Sequence, residues 1–184
     1  MEIAPIYTPR LILRRWQQSD HAAFIAMNMD PEVMRYFPAL QTPEQTEAMI
    51  ARVEAFIEEH GYGLFALERR DTNQFIGFTG LSHPRFESFF TPCVEIGWRL
   101  AKGHWGQGFA QEAARTCLQF GFEQLGLKEI YSFTSLLNTP SINVMQKIGM
   151  TEAGQFEHPA IADGHPLRTH VLYRKTAVNL SYTI

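Results

Sequence analysis

One stretch, Glu95 to Leu125, limits the fold more than any other. Val94, Ile96 and Trp98 alternate with Glu95, Gly97 and Arg99, and that two-residue period predicts a strand. Ala110, Ala113, Ala114, Cys117, Leu118, Gly121, Phe122 and Leu125 recur at helical offsets and predict a helix with one buried face. Gly103, Gly106 and Gly108 lie in the loop between them. A strand that turns through glycines into a helix suits an anion. The first helical N–H groups have no partner, the helix dipole is positive there, and glycine lets a phosphate approach the main chain. Two common phosphate motifs are excluded. A P-loop needs Gly-Lys-Ser/Thr, which is absent. The dinucleotide fingerprint needs G-x-G-x-x-G, and the order here is G-x-x-G-x-G.

Further on, Glu129 to Thr134 reads as a strand and Asn138 to Met150 as a short helix, with Pro140 at its first position and Gly149 just past its end. The two stretches together resemble the GCN5-related N-acetyltransferases (GNAT). Gly108 and Ala110 match the last fixed positions of that family's acyl-CoA loop. Trp105 stands where Gln or Arg is usual. Asn138, Ser141, Val144, Lys147, Gly149 and Met150 match its second signature. Trp105-Gly106-Gln107-Gly108 with Glu112-Ala113, and the opening Thr8-Pro9-Arg10-Leu11, resemble the RimJ/RimL-like ribosomal-protein branch. The resemblance runs from about Thr8 to Lys175.

The resemblance implies an α/β fold, a mixed, mostly antiparallel sheet of about seven strands flanked by helices. It implies acetyl transfer from acetyl-CoA to a primary amine such as a protein N-terminus, with a small-molecule amine or mere acyl-CoA binding as alternatives. The co-substrate is expected on Trp98, Arg99, Leu100, Trp105, Gly106, Gln107, Gly108, Phe109, Ala110, Asn138 and Asn143. Glu95 is the candidate base. Many relatives use a Tyr as acid where this chain has Met145, so Ser141 is the substitute. An α-amine, with a reference pKa of about 7.7–8.0, asks less of a base than a lysine at about 10.4.

The composition excludes other classes. The 184 residues are expected to form one domain. The net charge of −3 gives no general support for nucleic-acid binding. Cys93 and Cys117 make no disulfide framework or C-x-x-C motif, and neither has a His-Asp/Asn partner by spacing. Met1 to Pro5 does not read as a signal peptide, and no apolar run could span a membrane, so a cytoplasmic location is expected, with a homodimer possible. His158, His165 and His170 form no metal-ligand pattern.

The rest supplies the frame. Leu11 to Trp16 reads as a strand, and Ser19 or Asp20 caps a helix that ends at Asp30-Pro31. Thr42-Pro43-Glu44-Gln45 opens a second helix with a capping box, and Gly61 stops it. Tyr36-Phe37-Pro38 between these helices either touches substrate or plugs the core. Gly63 to Glu68 and Phe75 to Leu81 form a hairpin. Phe86, Phe89 and Phe90 line an acceptor site or cover the core. His165 and Arg168 precede a last strand from Thr169 to Arg174 and face the acceptor or solvent.

Overall fold

The computed structural model describes residues 4–177. Eight strands form one sheet: β1 (Ile6–Tyr7), β2 (Leu11–Arg14), β3 (Leu64–Arg69), β4 (Phe75–Ser82), β5 (Glu95–Leu100), β6 (Glu129–Ser135), β7 (Thr151–Glu157) and β8 (Thr169–Thr176). Their order is β1-β2-β3-β4-β5-β6-β8-β7. Every pairing is antiparallel except β5 with β6, whose ladder holds the single pair Glu95↔Tyr131. The sheet is thus mixed and mostly antiparallel, as expected. The eighth strand is the two-residue β1, too short to leave a period in the sequence.

Four helices pack on this sheet: α1 (His21–Met29), α2 (Pro43–His60), α3 (Phe109–Glu123) and α4 (Thr139–Lys147). Helix α2 begins as its sequence dictates. Thr42 accepts from the Gln45 N–H while the Gln45 side chain accepts from the Thr42 N–H, and Pro43 needs no partner at that position. Its buried residues, Thr46, Ile50, Val53 and Ile57, fall on one stripe. Helix α4 is capped by Asn138, whose side chain accepts from the Ser141 N–H. Pro140 therefore sits second in that helix, one place later than its sequence suggests.

The strand alternation decides which side chains meet which helices. Phe78, Gly80 and Ser82 pair with Arg99, Gly97 and Glu95 across β4 and β5. This face lies towards α1, since the Phe24 ring meets Phe78 edge-on at 5.7 Å. Leu81 and Ile96 point the other way, towards α3. Gly121 of α3 sits so close to the sheet that an added Cβ would press on Ile130 and Leu81. A second, aromatic cluster of Phe90, Tyr131, Phe156 and Leu172, with Phe86 and Phe133, packs on β6–β8. Phe86 and Phe90 therefore cover the sheet, while Phe89 is exposed.

Buried charge is paired where the fold needs it. Arg14 grips Asp20 through two bonds of 2.7 and 2.8 Å and reaches Glu68 at 2.6 Å, fixing β2 to β3 and to the start of α1. Among the described residues no helix is long and apolar enough to cross a membrane.

Candidate active site

A cleft of about 1030 Å³ opens where β5 and β6 part company. The two strands separate because their parallel ladder stops after Glu95↔Tyr131. Beyond it, Ser132 Oγ donates to the Ile96 carbonyl at 2.9 Å, a side chain standing in for the missing ladder. The Ala101 N–H donates to Ile76 O on β4, so strand alternation turns the N–H groups of Trp98 and Leu100 into the gap. A strand edge with open main-chain groups invites an extended amide-bearing ligand.

The glycine loop closes one end of this gap. Gly106 and Gly108 take left-handed angles, φ 71° and 80°, and Gly108 directly precedes α3. A side-chain-bearing residue at Gly108 would be strained by its positive φ, although its Cβ would meet only the end of the Arg10 side chain at 3.4 Å. Trp105, at the usual place of Gln or Arg, donates its indole N–H to Leu100 O at 2.8 Å and ties the loop to the end of β5. Gln107 holds the loop from inside by donating to Gly103 O at 2.9 Å. The N–H groups of the first α3 turn then face the cleft beside Phe109 and Ala110.

A tether from the other end of the chain fixes the loop. Thr8 Oγ1, the Arg10 main-chain N–H and the Arg10 guanidinium all donate to Glu112, at 2.6, 2.9 and 2.6 Å. Arg10 Nη1 also donates to Gln107 O at 2.9 Å, and the guanidinium lies over the Phe109 ring at 4.5 Å. Burial pushes the Glu112 carboxyl up, but the donors from Thr8 and Arg10 outweigh it and hold it below its ordinary value.

Glu95 stands in the cleft at the point of strand separation. Burial raises its carboxyl pKa, and the Ser82 hydroxyl, donating at 2.9 Å, pulls it part of the way back. Ser141 and Asn138 line the opposite wall with Asn143. Among the described residues no group takes up the Ser141 hydroxyl, whereas Asn138 is held by the Ser141 N–H and by Thr134 at 2.9 Å. Met145, in the position where a tyrosine would serve as acid, is fully buried. Burial pushes the thiols of Cys93 and Cys117 up to about 12, which deprives both of nucleophilic thiolate.

The structure brings all the expected site residues to this one cleft: Glu95, Trp98, Arg99, Leu100, Trp105 to Ala110, Asn138, Ser141 and Asn143. Tyr36, Phe37 and Pro38 form part of its wall, and Phe37 is too exposed to be a core plug. His165 and Arg168 lie outside it; Arg168 is occupied by Glu157 and Asp163. Ser82, Phe133, His158 and His170 also line the cleft, and no local motif marks them as site residues. Burial lowers the pKa of both histidines. Their rings pack at 4.9 Å. His170 Nδ1 faces the Arg168 carbonyl at 3.0 Å, so that nitrogen carries the proton and Nε2 is the acceptor.

A profile of the Acetyltransferase (GNAT) domain matches residues 10–151. The chain is 31% identical over 171 residues to the uncharacterized N-acetyltransferase YoaA of Bacillus subtilis, covering 89% of this chain and 92% of that one. An acetyltransferase structure from Agrobacterium tumefaciens superposes with a TM-score of 0.78 at 27% identity, covering 96% of each chain. A structure of RimL, the ribosomal L7/L12 α-N-protein acetyltransferase, in complex with coenzyme A shares the fold, with a TM-score of 0.74 at 16% identity, covering 94% of this chain and 98% of that one. The chain belongs to the GNAT acetyltransferases. It is therefore an N-acetyltransferase that uses acetyl-CoA as co-substrate.

Proposed function

We propose that the chain acetylates the α-amine of a protein N-terminus or a similar primary amine, in the manner of the RimJ/RimL-like enzymes. The observation that carries this reading is Glu95, a carboxylate of raised pKa facing the cleft where β5 and β6 diverge. The donor's diphosphate is assigned to the N–H groups of Gly106 to Ala110, and its pantetheine arm to the open edge of Trp98 and Leu100, with Arg99 between them turning its main chain to β4. Asn138 and Asn143 border its path. The residues suit this ligand: an open strand edge leads to a glycine-flanked helix start.

In this assignment Glu95 takes a proton from the attacking ammonium, directly or through one water. An α-amine loses that proton near neutrality, which suits a single carboxylate. The amine then displaces the thiolate from the acetyl carbon, forming the amide. As the C–S bond breaks, the nitrogen sheds its second proton, and the Ser141 hydroxyl, free to turn, relays it to the departing thiolate and ends neutral, a modest demand for a thiol of pKa about 8.5.

Thiol release measured with acetyl-CoA over short peptides and free amines tests the reading. It predicts turnover with peptides bearing free α-amines, and about 100-fold less for Glu95→Gln below neutral pH. Ser141→Ala should slow turnover while acetyl-CoA affinity holds. Release confined to lysine side chains, or a pH profile unchanged by Glu95→Gln, would contradict it.

A further inference from the structure

Arg99 projects from the cleft face of β5, and among the described residues no carboxylate pairs with it. Its Nη1 donates to Asn28 Oδ1 at 2.6 Å. Asn28 is fully buried and held in turn, its amide donating to Gln41 Oε1 at 3.0 Å and Thr46 Oγ1 at 3.1 Å. The guanidinium lies 4.1 Å from the Phe37 ring and 5.5 Å from the Phe78 ring. Nε is enclosed and has no acceptor. Burial lowers the pKa to about 10, so the group remains a cation at neutral pH.

A partly buried guanidinium fixed by a neutral amide and two rings, and left without a counter-ion, is a costly arrangement that a ligand anion would relieve. Its planar fork suits a carboxylate, which accepts two parallel bonds. Phe37 and Asn28 come from the α1 side, away from the glycine loop, so this cation belongs to the acceptor half of the cleft. Glu95 lies four residues back on the same strand face, so one elongated ligand can reach both groups.

We infer that Arg99 is an acceptor-specificity residue and that the acceptor is a primary amine carrying a carboxylate. The carboxylate docks on the terminal edge of the guanidinium, on Nη2 and the remaining hydrogen of Nη1, while the amine faces Glu95. The carboxylate belongs either to a small amino acid-like molecule or to an acidic side chain near a peptide N-terminus. This inference rests on the transferase reading above and narrows its acceptor.

Matched acceptors test it: ω-amino acids of graded length against their carboxamides, and short peptides with Asp or Glu near the N-terminus against Asn or Gln. With the full chain and acetyl-CoA, the carboxylate partner should be favoured by about 100-fold in kcat/KM in one of the two sets, and that set names the source. Arg99→Gln should abolish the preference through acceptor KM, with acetyl-CoA affinity by calorimetry unchanged. Should Arg99→Gln fail to fold, Arg99→Lys decides, with a preference between wild type and none. Wild-type enzyme that uses carboxylate and carboxamide alike, or a variant that keeps the preference, would overturn the inference alone. Wild-type enzyme that binds acetyl-CoA yet acetylates no amine would overturn the transferase reading as well.

Discussion

Glu95 and Ser82 show how two side chains set one proton equilibrium. Enclosure raises the carboxyl pKa and the Ser82 hydroxyl lowers it again. Ser82→Ala removes only the second effect. A hydrogen bond to a charged group is worth about 1.5 kcal/mol, and 1.36 kcal/mol corresponds to one pH unit. The acidic limb of kcat/KM should therefore move to higher pH by roughly one unit in Ser82→Ala. A limb that stays in place would separate Glu95 from the rate-determining proton. The same raised value has a stability consequence. A carboxyl that binds its proton more tightly when folded favours the folded state below its unfolded pKa of about 4.3, and that advantage is lost as pH rises through the folded value. Glu95→Gln removes the penalty on the ionised form, so its Tm at neutral pH should match or exceed the parent's while its turnover falls.

At the scale of elements, the start of α3 depends on a segment about a hundred residues away in sequence. Thr8 and Arg10 converge on Glu112 across 104 and 102 positions, and Arg10 continues to Gln107 in the glycine loop. The Arg10 side chain is 47% exposed, so screening discounts its charge, while the Thr8 bond is sheltered. Glu112→Gln should cost about 1–2 kcal/mol of stability at neutral pH. The sign follows from the lowered pKa. Glu112 stabilises the fold above its unfolded value and stops doing so as pH falls through the folded one, so the parent and the variant should converge in acid. Acetyl-CoA affinity should fall with it, because Arg10 loses the anchor that aims it at the Gln107 carbonyl. Unchanged affinity in a destabilised variant would show that the tether serves the fold alone.

At the scale of the whole molecule, what was legible in the sequence was local. The period of two over Val94 to Trp98, the helical stripe from Ala110, and the Thr42–Gln45 capping box each act within a few residues, and each stands in the structure. Contacts between distant segments left no such mark. Asn28 reaches Arg99 across 71 positions. His158 and His170 come to the cleft only because β7 and β8 pair. Phe86 and Phe90 cover β6–β8 rather than line the acceptor site, a choice made by tertiary packing and not by the loop's composition. The glycine-loop end of the cleft was thus readable as a motif, and the contacts of Asn28, His158 and His170 at its other parts were not. The most direct test is the structure of the chain with coenzyme A bound. The diphosphate should contact main-chain N–H groups between Gly106 and Ala110, with the pantetheine along Trp98 and Leu100. A nucleotide seated elsewhere, or absent at saturating concentration, would contradict the account.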